Sequence, residues 1–136
     1  MLRPVEITAT RILGNVNEVF LSSVGEGGSP RSSIVTKLRA DGFSTIYFAA
    51  PADSHKVQNF RQNPSASVCY YSNCDSITLM GKIEFIEDAA LKHQLWLECQ
   101  KKSHYSGVNE YDFCPMRFTT VEATFWIANR LSTYQY

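Results

Sequence analysis

One stretch constrains the fold more than any other. From Ile77 to Phe85, apolar Ile77, Leu79, Ile83 and Phe85 alternate with Thr78, Lys82 and Glu84. Side chains of a strand point to opposite faces in turn, so this pattern predicts a long strand with one buried face and one wet face. Gly81 interrupts it. A glycine inside a strand marks a bulge or a close approach of neighbouring backbone. Such a strand needs partners at its edges and a cover for its apolar face, so its neighbours decide the architecture.

Those neighbours are legible. Val16 to Val24, Ser32 to Arg39, Ser44 to Ala50 and Ala66 to Tyr71 read as strands one to four. Ile77 to Phe85 is the fifth, and Arg117 to Ile127 the sixth. Gly25 to Pro30 must turn, because its glycines supply positive φ and Pro30 cannot donate to a ladder. Asp41-Gly42 is a hairpin signal. In the third strand Ile46 and Phe48 share one side and Tyr47 takes the other. Helices are expected at Glu6 to Leu13, after Pro51, and from Asp88 to Lys102. Asp53 or Ser54 can cap the second, Val57 and Phe60 share its face, and Asn63-Pro64 stops it. Leu91, Leu95 and Cys99 form the buried stripe of the third. Ser103 to Pro115 reads as irregular and polar.

Six strands are too few for two packed sheets. The economical answer is a mainly β fold, a small antiparallel barrel with short helices at its ends. The 136 residues suit one domain spanning 1–136, and 44% apolar against 19% charged residues suffices for a core. Thirteen basic and thirteen acidic side chains cancel, and no basic run suggests nucleic acid. No segment has the roughly 20 apolar residues of a membrane helix, and no signal peptide is evident. Cys69, Cys74, Cys99 and Cys114 form no Cys-x-x-Cys pair. Free thiols and a cytoplasmic location are the expectation. His93 and His104 are too loosely spaced for a local zinc motif.

Ser54-His55-Lys56 follows a strand, opens a helix and carries a cation. Exposed N–H groups and the helix dipole favour an anion there. The same residues also suit an ordinary capped surface helix with a solvated lysine. Lys37 reads as a solvated strand lysine.

A wider pattern bears on that choice. Gly28-Ser29-Pro30-Arg31-Ser32-Ser33, Asp41-Gly42 before Ile46-Tyr47-Phe48, Ser54-His55-Lys56-Val57, and Asn63-Pro64-Ser65-Ala66-Ser67-Val68 occur in that order. Leu79-Met80-Gly81-Lys82-Ile83-Glu84, Leu95-Trp96 and Glu122-Ala123-Thr124-Phe125-Trp126 continue it. The ordered set resembles the pyridoxamine 5'-phosphate oxidase-like, FMN-binding split-barrel family, closest to its small general stress proteins. The resemblance covers roughly residues 10 to 130. It implies a six-stranded antiparallel split β-barrel working as a homodimer, with two FMN sites in the seam. By position, Ser32, Ser33, Ile34 and Val35 face the isoalloxazine ring, and Phe48 and Ala49 lie along it. Ser54, His55 and Lys56 fall where the family holds the phosphate. Ser76, Thr78 and Trp126 fall where the partner subunit contributes, although Trp126 equally suits a core or interface aromatic.

There are departures. Larger family members place an arginine near Ser32 or His55, whereas histidine is largely neutral at pH 7, so FMN affinity is expected to be modest and pH-dependent. Arg31, at the start of a strand, is not expected to reach inward. True pyridoxamine phosphate oxidases carry a further basic C-terminal segment, and Arg130 alone stands near that place, so no meaningful vitamin B6 oxidase activity is expected. The resemblance implies an oxidoreductase in which FMN exchanges electrons with a small donor or acceptor. The other readings are a non-catalytic FMN-binding or stress-linked protein, and a haem or flavin-like cofactor on the same barrel with His55, His93 or His104 as axial ligand.

Overall fold

The computed structural model describes residues 1–102 and 109–136. Among them, α1 (Pro4–Asn15) leads into β1 (Glu18–Val24) and β2 (Pro30–Thr36). Next come β3 (Arg39–Asp41), β4 (Thr45–Pro51), α2 (His55–Gln62), β5 (Ser65–Ser72) and β6 (Asp75–Phe85). Then α3 (Ala89–Gln100), β7 (Phe113–Ile127) and β8 (Arg130–Gln135) complete the chain. All strands pair antiparallel in one curled sheet, ordered β2-β1-β5-β6-β7-β4-β3, with β8 also paired to β7. The curl brings β2 beside β4. The architecture is that of a split barrel.

The split has a specific place. The first half of β7 pairs with β4 as far as Thr119, and the second half pairs with β8 from Glu122. Between them the β6–β7 register shifts at Met80/Gly81, leaving Val121 as the extra residue of a bulge. A Cβ on Gly81 would stand 2.0 Å from the Thr119 carbonyl oxygen and 2.8 Å from the Phe118 ring. The two readings of this glycine are therefore both true: it sits at a bulge and at a close backbone approach.

Inward-facing residues of every long strand make the main core, including Val19, Leu21, Ile46, Phe48, Val68, Ile77, Leu79, Phe118 and Phe125. Helix α1 closes one end with Ala9, Ile12 and Leu13. The buried Tyr70 hydroxyl donates to the Ala9 carbonyl at 2.9 Å, and burial pushes its pKa well above the usual phenol value. Helix α3 covers the opposite face of β4 and β7, where Leu38, Ala49, Ile86, Leu95, Cys99 and Phe113 form a second cluster. Asp88 caps α3 by accepting from Leu91 N at 2.9 Å. All four cysteines are free, and burial holds the Cys99 thiol up at about 11.

Several expectations need correction. The strands number eight among the described residues, not six. The expected second strand, Ser32 to Arg39, breaks at Lys37 and Leu38 into β2 and β3. The extra β8 follows a turn at Ala128 and Asn129, both at positive φ. That geometry suits a hairpin, but alanine does not advertise it. The sixth predicted strand starts at Phe113, so residues 113–115 are not irregular, while His104 lies outside the described residues. Both α1 and α3 have twelve residues. Lys37 is not a solvated lysine: its Nζ donates to Leu13 O at 2.6 Å at the end of α1, where the helix dipole favours a cation. Burial and Lys102 lower its pKa.

Candidate functional site

The site begins with the cap of α2. Ser54 is the cap, its hydroxyl accepting from Val57 N at 3.4 Å. Val57 and Phe60 are buried in the main core and dock α2 against the sheet. On its next face, Asn59 Nδ2 donates to Ser23 Oγ at 3.0 Å. This fixes the start of α2 over the β1–β2 hairpin. The outcome is a cavity of about 130 Å3 lined by Ser23, Arg31, Ser32, Ser33, His55 and Lys56.

The composition of that cavity is unusual for a chain without net charge. Three basic side chains and three hydroxyls share this small space. Among the described residues, the ion pairs use Arg3, Arg39, His93 and Arg117, and none engages Arg31, His55 or Lys56. Charge left unpaired beside a helix start is suited to an anion, which gains charge-assisted hydrogen bonds there. Ser32 Oγ lies 2.6 Å from Ser22 Oγ, so the hydroxyl row extends across the hairpin.

Of the residues singled out from sequence, Ser32, Ser33, His55 and Lys56 meet at this cavity, with Ser54 capping the helix that carries two of them. Arg31 corrects an expectation by lining the cavity. Strand alternation explains it: Arg31 and Ser33 share a face of β2. Ser23 and Asn59 were missed. The available signal for Ser23 was its place in the inward phase of β1, after Val19 and Leu21, where a buried serine needs a partner.

The other candidates lie elsewhere. Val35 and Phe48 are buried in the main core, and Ala49 is buried beneath α3 on the opposite face of β4. Ile34 is 59% exposed on the outer face of the sheet. Ser76, Thr78 and Trp126 share that outer face, with Ser76 directly opposite Trp126. Thr78 Oγ1 donates to Cys69 Sγ at 3.8 Å. β7 is four strands from β2 along the sheet order, and Trp126 does not line the cavity. Trp126 and the cavity are therefore not brought together within one chain.

The outer face is apolar for a surface. Phe20 is 41% exposed and pairs with Ile34, while Trp126 is 40% exposed and pairs with the exposed Leu131. Tyr71 and Met80 are exposed between them. A trough of about 390 Å3 crosses this face past Ser67, Met80, Lys82 and Val121, and shares Ser23 with the small cavity. Among the described residues no group of three His, Cys, Asp or Glu side chains could hold a metal ion. Nor is any described helix long and apolar enough to cross a membrane. His93 is engaged by Glu110 at 2.6 Å and stacks on Trp96.

Comparison with known proteins adds a family and a fold. The family model described as pyridoxamine 5'-phosphate oxidase matches residues 8–127. A Clostridium acetobutylicum protein related to general stress protein 26 of B. subtilis superimposes with a TM-score of 0.85 at 19% identity, covering 99% of this chain and 96% of that one. General stress protein 26 from Bacillus anthracis gives 0.77 at 16% identity over 98% of this chain and 100% of its own. A haem-binding protein from Mycobacterium smegmatis gives 0.80 at 17% identity over 99% of this chain and 60% of its own. No curated protein matches the chain in sequence.

Proposed function

This chain belongs to the pyridoxamine 5'-phosphate oxidase family, and from that premise we propose that it binds FMN between two copies of itself and passes electrons through the flavin to a small acceptor. The supporting observation is the convergence of Arg31, Ser32, Ser33, His55 and Lys56 on one cavity from two separate parts of the chain. These groups fit a phosphate monoester: the cations balance its charge and the serines donate to its oxygens. Arg31 adds a permanent positive charge beside His55 and Lys56. The ring would lie outside the cavity against Ser32, Ile34 and the half-exposed Phe20. The bound flavin supplies the redox chemistry, and the protein binds and orients it.

The same geometry supports the dimer. Ser76, Thr78 and Trp126 do not line the cavity of their own chain. A second copy packed on the outer face would bring its Trp126 to that cavity and cover the exposed apolar residues. Free thiols fit a cytoplasmic setting. The haem reading has less support. His55 opens on a small space beside Arg31 and Lys56, and His93 is held by Glu110.

The visible spectrum of the protein titrated with FMN is the test. Saturable binding is expected, and Lys56→Ala should cost about 1.5–3 kcal/mol of it, the scale of a hydrogen bond to a charged group. Unchanged binding in the variant would remove the phosphate from this cavity. Steady NAD(P)H consumption by the FMN-loaded protein with a quinone or nitro acceptor would support turnover. Inertness across a broad acceptor panel would leave a flavin-binding protein without catalysis.

A further inference from the structure

Helix α2 has a second polar neighbourhood. Gln58, Asn59 and Gln62 follow His55 at spacings of three, four and seven, which stack side chains along one side of a helix. With Val24, Gly25, Glu26 and Asn63 they line a cavity of about 290 Å3 between α2 and the β1–β2 turn. Asn59 is the partition between this cleft and the basic cavity, because the Ser23 hydroxyl it donates to lines the latter.

The two spaces differ in chemistry. The basic cavity holds cations and hydroxyls, whereas the cleft holds four carboxamides and one carboxylate, with no cation. Some of these amides are engaged: Gln58 Nε2 donates to the Asp53 carbonyl at 3.4 Å, and Asn63 Oδ1 accepts from Ser65 N at 3.1 Å. The Gln62 amide and the Glu26 carboxylate, both exposed, line the cleft with no hydrogen bond recorded to another described side chain. A carboxamide places a donor beside an acceptor, which matches the paired N6 and N7 edge of adenine. A carboxylate next to it can accept from ribose hydroxyls, as in other dinucleotide sites. An anionic ligand group would be repelled by Glu26 and kept in the basic cavity.

The order along the chain is also right. On β1 the sequence runs from Phe20, beside the proposed ring, through Ser22 and Ser23 at the phosphate, to Val24 and Gly25 at the cleft. On α2 it runs from Lys56 to Gln62, about 9 Å along the axis. That is comparable to the span of the ribose between a phosphate and its base. The cleft thus continues the ligand path on the side of the phosphate away from the ring.

We propose that this amide-lined cleft is a nucleoside site, taking the adenosine half of a flavin dinucleotide whose phosphates occupy the adjoining basic cavity. The proposal rests on the flavin reading above. FMN and FAD are titrated separately into the full-length protein, wild type and the surface variants Gln62→Ala and Glu26→Ala, with binding followed by the change in the visible flavin spectrum. FAD is expected to bind more tightly than FMN by about tenfold, the worth of one good bidentate contact. Each variant should weaken FAD towards the FMN value and leave FMN binding unchanged. If FMN binds and FAD gains nothing, or if the variants weaken both flavins alike, the nucleoside site is overturned and the flavin site stands. If neither flavin binds, both fall together.

Discussion

Adjacent residues on β1 belong to two different surfaces. Leu21 is 2% exposed and packs in the barrel interior, while Phe20 beside it is 41% exposed on the outer face. The inner face has no slack at Gly81, where an added Cβ would stand 2.0 Å from the Thr119 carbonyl oxygen and 2.8 Å from the Phe118 ring. The outer face carries comparable apolar side chains, Phe20, Ile34, Met80 and Trp126, each at least 40% exposed. The comparison separates two uses of hydrophobicity. One set of residues folds the chain. The other is left exposed, and in the proposed function the cofactor ring and the second copy share that surface.

The largest expected effect tests the inner face. Gly81→Ala should cost about 3 kcal/mol or more, because backbone must move before the methyl fits. A melting temperature close to wild type would mean that the bulge relaxes freely. The next is a paired test of the two faces. Leu21→Ala should lose about 2–5 kcal/mol of stability by emptying a core position. Phe20→Ala should lose less than about 1 kcal/mol as a monomer while raising the monomer fraction seen by sedimentation. Equal losses of stability in both would erase the distinction between the faces.

The smallest effect lies away from both. Glu6 is buried at α1, and the Tyr136 hydroxyl, then the Arg3 backbone N–H, donate to its carboxylate. Those bonds hold its pKa below the ordinary 4.5 against the opposing pull of burial. The unfolded chain therefore takes up this proton at a higher pH than the folded one. The pair's contribution to stability is present above about pH 4.5 and is lost as the pH falls through the folded value. Tyr136→Phe should lower the melting temperature slightly near neutrality, where the contribution is present, and leave it nearly unchanged in strong acid, so the acid side of a plot of melting temperature against pH flattens. An unaltered acid limb would show that Tyr136 does not hold this carboxylate.

Much of the fold was legible because alternation is a local signal. The inward set of β4 and β6, the start of a helix near Asp88, the stop at Asn63-Pro64 and the double meaning of Gly81 all followed from neighbours in sequence. The family pattern added the residues of the basic cavity, four of which the structure brings together. β8 escaped because its turn uses Ala128 at positive φ, a residue without a turn preference. Lys37 escaped because its acceptor, the Leu13 carbonyl, lies 24 residues away in the chain.

By itself, then, the sequence determined which residues of β4 and β6 face inward and where most strands lie, and it marked one short segment as a candidate anion site. Each of those is set by spacing within a few residues. Tertiary structure alone decided that Arg31 joins His55 and Lys56, that Asn59 divides a basic space from an amide-lined one, and that Trp126 stands four strands from β2. These depend on how a curled sheet brings distant strands together and keeps others apart, and no local periodicity carries that information.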